Sequence, residues 1–106
     1  MDKLFGSRIR TDVLVTAGRL GTTYVSEIAQ VLGRRPIEVQ RAVASLELAD
    51  VVRTRRLGTI RIVELNKRFS QYRELATLLL NMSEQPIYAQ RWKKLRRRPR
   101  AMGKAL

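Results

Sequence analysis

The feature that most constrains this chain is the punctuation Gly33-Arg34-Arg35-Pro36, set between two stretches whose apolar residues recur at helical spacing. On the N-terminal side Ile28, Ala29 and Leu32 fall on one helical face. Gly33 can end that helix because, lacking a Cβ, it enters the left-handed region without a clash. Two arginines make the turn, and Pro36 suits the first position of a second helix, where its missing N–H costs nothing. Val39, Val43 and Leu46 then repeat at i, i+4 and i+7, so one side of this helix is core. The opposite side, with Ile37, Glu38, Gln40, Arg41, Ala44 and Ser45, is left for something outside the core. Two short helices held at an angle by a basic turn is the pattern of a helix-turn-helix.

Flanking segments extend the pattern. A first helix is expected from about Ser7, a capping residue, to Leu20, with Ile9, Val13, Ala17 and Leu20 on one face and Gly21 as its stop. Thr22 to Val25 suit a short strand or extended linker, and Ser26 is expected to cap the next helix. After Leu48, Ala49-Asp50 turns the chain, Asp tolerating a left-handed backbone. Val51–Arg56 and Ile60–Leu65 read as two strands around Leu57-Gly58-Thr59. A two-residue Leu57-Gly58 loop would place Val52, Thr54 and Arg56 on one face with Thr59, Arg61 and Val63, and a one-residue slip would re-sort them all. The tip is basic in either register.

From about Lys67 to Met82 the period is helical again, with Tyr72, Leu75, Ala76, Leu79 and Met82 on one stripe, widened by Leu78 and Leu80. That width implies burial on two sides, one against the domain and one against a second copy or the tail. Pro86 opens a further segment in which Tyr88, Trp92 and Leu95 share a face among basic residues. Pro99 is expected to end it and leave residues 100–106 irregular. The expected organisation is a domain over 1–82, with a dimerisation helix at about 67–82, and a basic amphipathic extension over 83–106.

Composition narrows the partner. With 106 residues the chain supports one compact domain plus an appendage. Its 22 Lys and Arg against 9 Asp and Glu give a net charge of +13, which favours an anionic partner. Residues 91–106 carry eight basic and no acidic side chains. Cysteine and histidine are absent, which removes disulfides, thiolate or imidazole metal sites and His-based acid/base chemistry. No enzymatic activity, cofactor or metal is therefore expected. No apolar run is long enough to span a membrane, and Met1-Asp2-Lys3-Leu4-Phe5-Gly6 lacks the apolar core of a signal peptide, so the expected location is the cytoplasm, at the nucleoid.

The segment Ser26 to Gly33 through Val51-Val52, the Arg-Arg-Leu-Gly-Thr tip and the closing Glu64-Leu65-Asn66 resemble prokaryotic winged helix-turn-helix regulators of the arsenical-repressor-like and multiple-antibiotic-resistance-repressor-like kind. The likeness covers roughly residues 4–82. It implies a mainly α fold with a small β-hairpin wing, here with an added C-terminal helix and basic tail. It also implies that the second helix of the motif enters the major groove of double-stranded DNA while the wing lies on the backbone or minor groove. Carried over, Arg34, Arg35, Glu38, Gln40, Arg41 and Ser45 are groove-facing, and Arg53, Arg55, Arg56 and Arg61 are wing contacts. Asp50 stands where these proteins usually have Gly, and the Cys, His and carboxylate clusters of the metal-sensing branch are missing.

Each residue keeps a plain alternative. Arg41 can meet the O6 and N7 of guanine or pair with Glu38, and Gln40 can read adenine or be an ordinary solvated helix former. Glu38 can accept from cytosine N4 or repel wrong sites. Arg91, Lys93, Lys94, Arg96, Arg97, Arg98 and Arg100 are expected to hold DNA phosphates without reading sequence, while the helical spacing makes Trp92 a packing anchor more than a base-stacking residue. The expected whole is a homodimeric, sequence-specific DNA-binding regulator that represses, with no membrane partner. The alternative is an architectural or accessory DNA-binding protein of low sequence specificity.

Overall fold

Helix α1 (Arg8–Leu20) is the element around which the others pack. The computed structural model describes residues 6–96, with side chains through Trp92. Ser7 caps α1 as expected, its Oγ accepting from the Arg10 N–H at 3.2 Å. Gly21 closes it at φ 80° with its N–H on the Ala17 carbonyl. Thr11 through Ala17 are all buried, so the helix is enclosed and not merely one-faced; Ile9 and Leu20, at its ends, are only partly covered. Its threonines tolerate this because each turns its hydroxyl onto its own helix: Thr11 to the Ser7 carbonyl at 3.0 Å and Thr16 to the Asp12 carbonyl at 2.8 Å.

Strand β1 (Thr22–Tyr24) follows and pairs antiparallel with β3 (Ile60–Leu65), which also pairs with β2 (Val52–Leu57), giving the order β1-β3-β2. Helix α2 (Val25–Leu32) begins one residue before Ser26, which is exposed inside the first turn and does not cap it. The extended backbone runs through Tyr24, so the cap position falls there. Thr23 donates to the Glu27 carboxylate at 2.6 Å beneath it.

The hairpin loop is Gly58-Thr59, one residue beyond the expected Leu57-Gly58. Gly58 has φ 65°, and this position lets the glycine take the positive φ that a tight hairpin loop demands, which Leu57 would otherwise have to share. Val52 therefore faces Leu65, not Val63. The partners move by two residues, so parity survives: Val52, Thr54 and Arg56 still share a face with Arg61 and Val63, while Thr59 joins the loop. Asp50 adopts φ 63°, meeting the left-handed demand usually left to glycine.

Helix α4 (Tyr72–Ser83) starts five residues later than the expected Lys67. Asn66 explains the delay. Its Oδ1 accepts from the Arg68 N–H and its carbonyl from the Phe69 N–H, both at 3.0 Å, a turn that competes with helix. Leu79 and Met82 enter the core, whereas Leu78 and Leu80 on either flank remain 41% and 43% exposed. α4 lies so close to α1 that a Cβ built on Gly18 would stand 2.6 Å from the Cβ of Leu79.

Helix α5 (Pro86–Arg96) opens at Pro86 as expected and joins the same core. Trp92 is a packing anchor, its Nε1 donating to the Ser83 carbonyl at 2.7 Å. Tyr88 donates its hydroxyl at 2.8 Å to Asp12, a buried carboxylate flanked by Arg8 at 3.9 Å and Arg91 at 3.8 Å. Burial, then the bond to Asp12 and its charge, push the Tyr88 hydroxyl up to about 12, against the pull of Arg91 and Arg8.

Two outcomes follow. Gly18→Ala should lower the urea midpoint. The methyl must displace Leu79 at a cost of about 1–3 kcal/mol, more than the up to about 1 kcal/mol that Ala gains in helix propensity. Because the folded-state value of Tyr88 lies above the unfolded one, its contribution is intact below about pH 10 and is lost as the pH rises toward about 12. Over that window the parent chain should lose about 2–3 kcal/mol more than Tyr88→Phe, read by denaturant titration at stepped pH.

Candidate nucleic-acid interface

Helix α3 (Pro36–Leu48) is aimed by the turn in front of it. Gly33 sits at φ 65°, ψ 36°, in the left-handed region, and the Arg34 N–H returns to the Ala29 carbonyl at 3.0 Å, which closes α2. Pro36 takes the first position of α3, and the Glu38 carboxylate reaches back to the Arg35 N–H at 3.2 Å. Val39, Ala42, Val43 and Leu46 bury one side of the helix. The other side presents Ile37, 45% exposed, with Gln40, Arg41 and Ala44, all exposed, at the i, i+3, i+4 and i+7 spacing of a single face.

Across from this face the wing forms a cleft of 480 Å³ whose walls include Tyr24, Ser26, Pro36, Gln40, Arg56 and Thr59. Its orientation is held by a joint that composition does not reveal. Glu47, near the end of α3, accepts from Thr54 at 2.8 Å and from Arg61 at 3.3 Å, clamping both wing strands to the helix.

The sequence-derived site residues separate into groups. Arg35, Gln40, Arg41 and Arg56 are exposed around the cleft and along α3. Arg34 is also exposed, with its guanidinium 3.9 Å from Glu38. Glu38 is half-buried and occupied by the helix start. Ser45 turns toward α1, where its hydroxyl accepts from Arg10 at 2.8 Å, and Arg61 rests on Glu47. Arg53 and Arg55 lie on the face of the sheet opposite Thr54, Arg56 and Arg61, so the wing arginines are not one cluster. Arg91 is half-buried, over the Tyr88 ring at 5.2 Å. The backbone of Lys93, Lys94 and Arg96 is helical; Arg97, Arg98 and Arg100 lie outside the described residues. Sequence reading missed Arg10 and Glu47, which carry no local signal because their partners are 35 and 7 or 14 positions away.

No protein-family model matches the sequence, and no curated protein matches it. Solved structures do. A double mutant of ZitR from Lactococcus lactis superposes with a TM-score of 0.59 at 12% identity over 93% of this chain and 66% of its own. The adhesin competence repressor AdcR from Streptococcus pyogenes gives 0.61 at 13% identity, over 91% of this chain and 69% of its own. YusO from Bacillus subtilis gives 0.58 at 18% identity, over 88% and 76%. The chain thus spans 66% of the length of the ZitR chain, just under two thirds. At such identities the fold is what is shared, and the chain is a winged helix-turn-helix domain.

Proposed function

We propose that the chain is a regulator of transcription that binds double-stranded DNA in a sequence-specific way, with α3 in the major groove and the wing on the adjoining backbone or minor groove. The observation that carries this reading is the unoccupied face of α3. Ile37, Gln40, Arg41 and Ala44 form a solvent-facing strip on a helix whose other side is core, and a helix of this width fits a major groove about 12 Å wide. Arg41 would take guanine O6 and N7, Gln40 an adenine edge, and Arg34 and Arg35 the phosphates at the helix start. Arg56, across the cleft from Gln40, would hold the flanking strand. Glu38, Ser45 and Arg61 have partners within the domain, which leaves the reading of bases to fewer residues than the pattern alone offers.

Repression by occupying a promoter needs nothing beyond the DNA contact itself, and it works best as a homodimer on an inverted repeat. Leu78 and Leu80, exposed on both flanks of α4, favour that helix as the contact with a second copy. The excess positive charge beyond Arg91 would add affinity that does not depend on sequence. That excess is also what supports the second reading, an architectural DNA-binding protein of low specificity.

Arg41→Ala should leave folding intact, since the side chain is off the buried face. It should weaken binding to the preferred duplex by about 1–3 kcal/mol while barely changing affinity for random duplex. Competition titrations on both DNAs check this; equal losses would make Arg41 a phosphate contact. Leu78→Glu with Leu80→Glu should shift sedimentation at micromolar concentration from dimer to monomer while the monomer keeps the circular dichroism of a folded domain. Leu79 is fully buried against Gly18, so a charge there would unfold the domain and say nothing about assembly.

A further inference from the structure

The outer face of the sheet holds a second concentration of positive charge that the reading of α3 does not use. A cleft of 290 Å³ at the root of the wing is lined by Arg53, Arg55, Glu64, Asn66, Lys67 and Arg68. Its single carboxylate is engaged: Glu64 accepts from Arg55 at 3.4 Å and from Thr22 at 3.5 Å. Arg53, Lys67 and Arg68 form no ion pair with any described residue. Three uncompensated cations therefore converge on one concave surface, where they raise the local potential and concentrate anions.

The cleft is built on fixed backbone. The Asn66 N–H bonds to the Val51 carbonyl and its Nδ2 to the Asp50 carbonyl, both at 2.9 Å, while its Oδ1 holds the Arg68 N–H. The turn that places Lys67 and Arg68 is thus tied to the root of β2, and little ordering is left for a ligand to impose. Arg53 is four residues from Leu57 at the wing tip, roughly 13 Å along the strand. It also lies on the face turned away from Glu47 and α3. A duplex seated on α3 and the wing tip meets the other face.

We propose that this cleft binds a small phosphorylated anion bearing at least two negative charges, at a site separate from the DNA surface. Guanidinium forks match phosphate oxygens in pairs, and the volume is just below the roughly 300–1,000 Å³ of drug-sized ligand sites, which suits a pyrophosphate-sized group. The inference goes beyond the DNA-binding reading and does not need it to hold.

Pyrophosphate is the probe, titrated into the full chain at fixed ionic strength and followed through backbone amide shifts. Residues 53, 55 and 64–68 should shift along one saturable curve while residues 35–41 stay still. In the Lys67→Ala/Arg68→Ala double variant the affinity should fall about tenfold or more, with the preferred duplex unchanged. Shifts that grow in parallel over α3, the wing tip and the cleft without saturating would overturn the site, as general counterion association. So would displacement of pyrophosphate from Arg53 and Arg68 by an equimolar preferred duplex, since the phosphates held there would then be those of DNA. A saturable cleft in a chain that prefers no duplex sequence would sink the DNA-reading account and leave this one standing.

Discussion

Enclosure of α1 from Thr11 to Ala17 is the constraint on which the other elements depend. A helix shut in on all sides needs several neighbours, and here they are α2, α3, α4 and the sheet, each supplying one apolar face. The same enclosure dictates its exceptions. Gly18 is the point where α4 comes too close for a side chain, and Asp12 is the one charged residue of α1 inside the shell. A buried carboxylate is costly unless it is bonded and paired, and both Tyr88 and Arg91 come from α5. That requirement draws α5, which the sequence pattern alone places in an appendage, onto the domain.

Acidic residues sort the arginines. Glu47 holds Arg61, Glu64 holds Arg55, and Asp12 lies near Arg91. Most of these pairs are partly exposed and add little stability, so their main effect is geometric. They decide which cations belong to the scaffold and which face outward. Arg56 then lines the cleft beside α3, with Arg35 and Arg41 exposed at the start and along the outer side of that helix, and Arg53, Lys67 and Arg68 line the other cleft. Leaving aside the basic residues beyond Arg91, these unpaired cations of the described domain thus fall on two separate sides of it.

Much of this was legible in advance because it is local. Ser7 acts through its own hydroxyl, Gly21, Gly33 and Asp50 through backbone angles and Pro36 and Pro86 through a missing N–H, and each stands at the boundary it implies. The core face of α3 follows from spacing alone. What stayed hidden depends on partners distant in sequence. Periodicity says that Ser45 is off the core but not that Arg10 will claim it, and it cannot set Arg61 against Glu47. Nor does alternation choose between hairpin registers that keep the same faces, as the shift to a Gly58-Thr59 loop shows. Ser26 does not cap because the extended backbone of β1, paired with β3, stops at Tyr24, two residues short of it, so the helix is already under way at Val25.

Whether the free face of α3 reads sequence is the central claim, and one measurement tests it most directly. Duplexes selected by the chain from a random pool at physiological salt should be re-measured against unselected duplex of equal length. A reader of bases should converge on one motif and bind it roughly a thousand-fold or more tighter than the random duplex. Selected and random duplexes of equal affinity, with no shared motif, would contradict the account and leave only charge to hold the DNA.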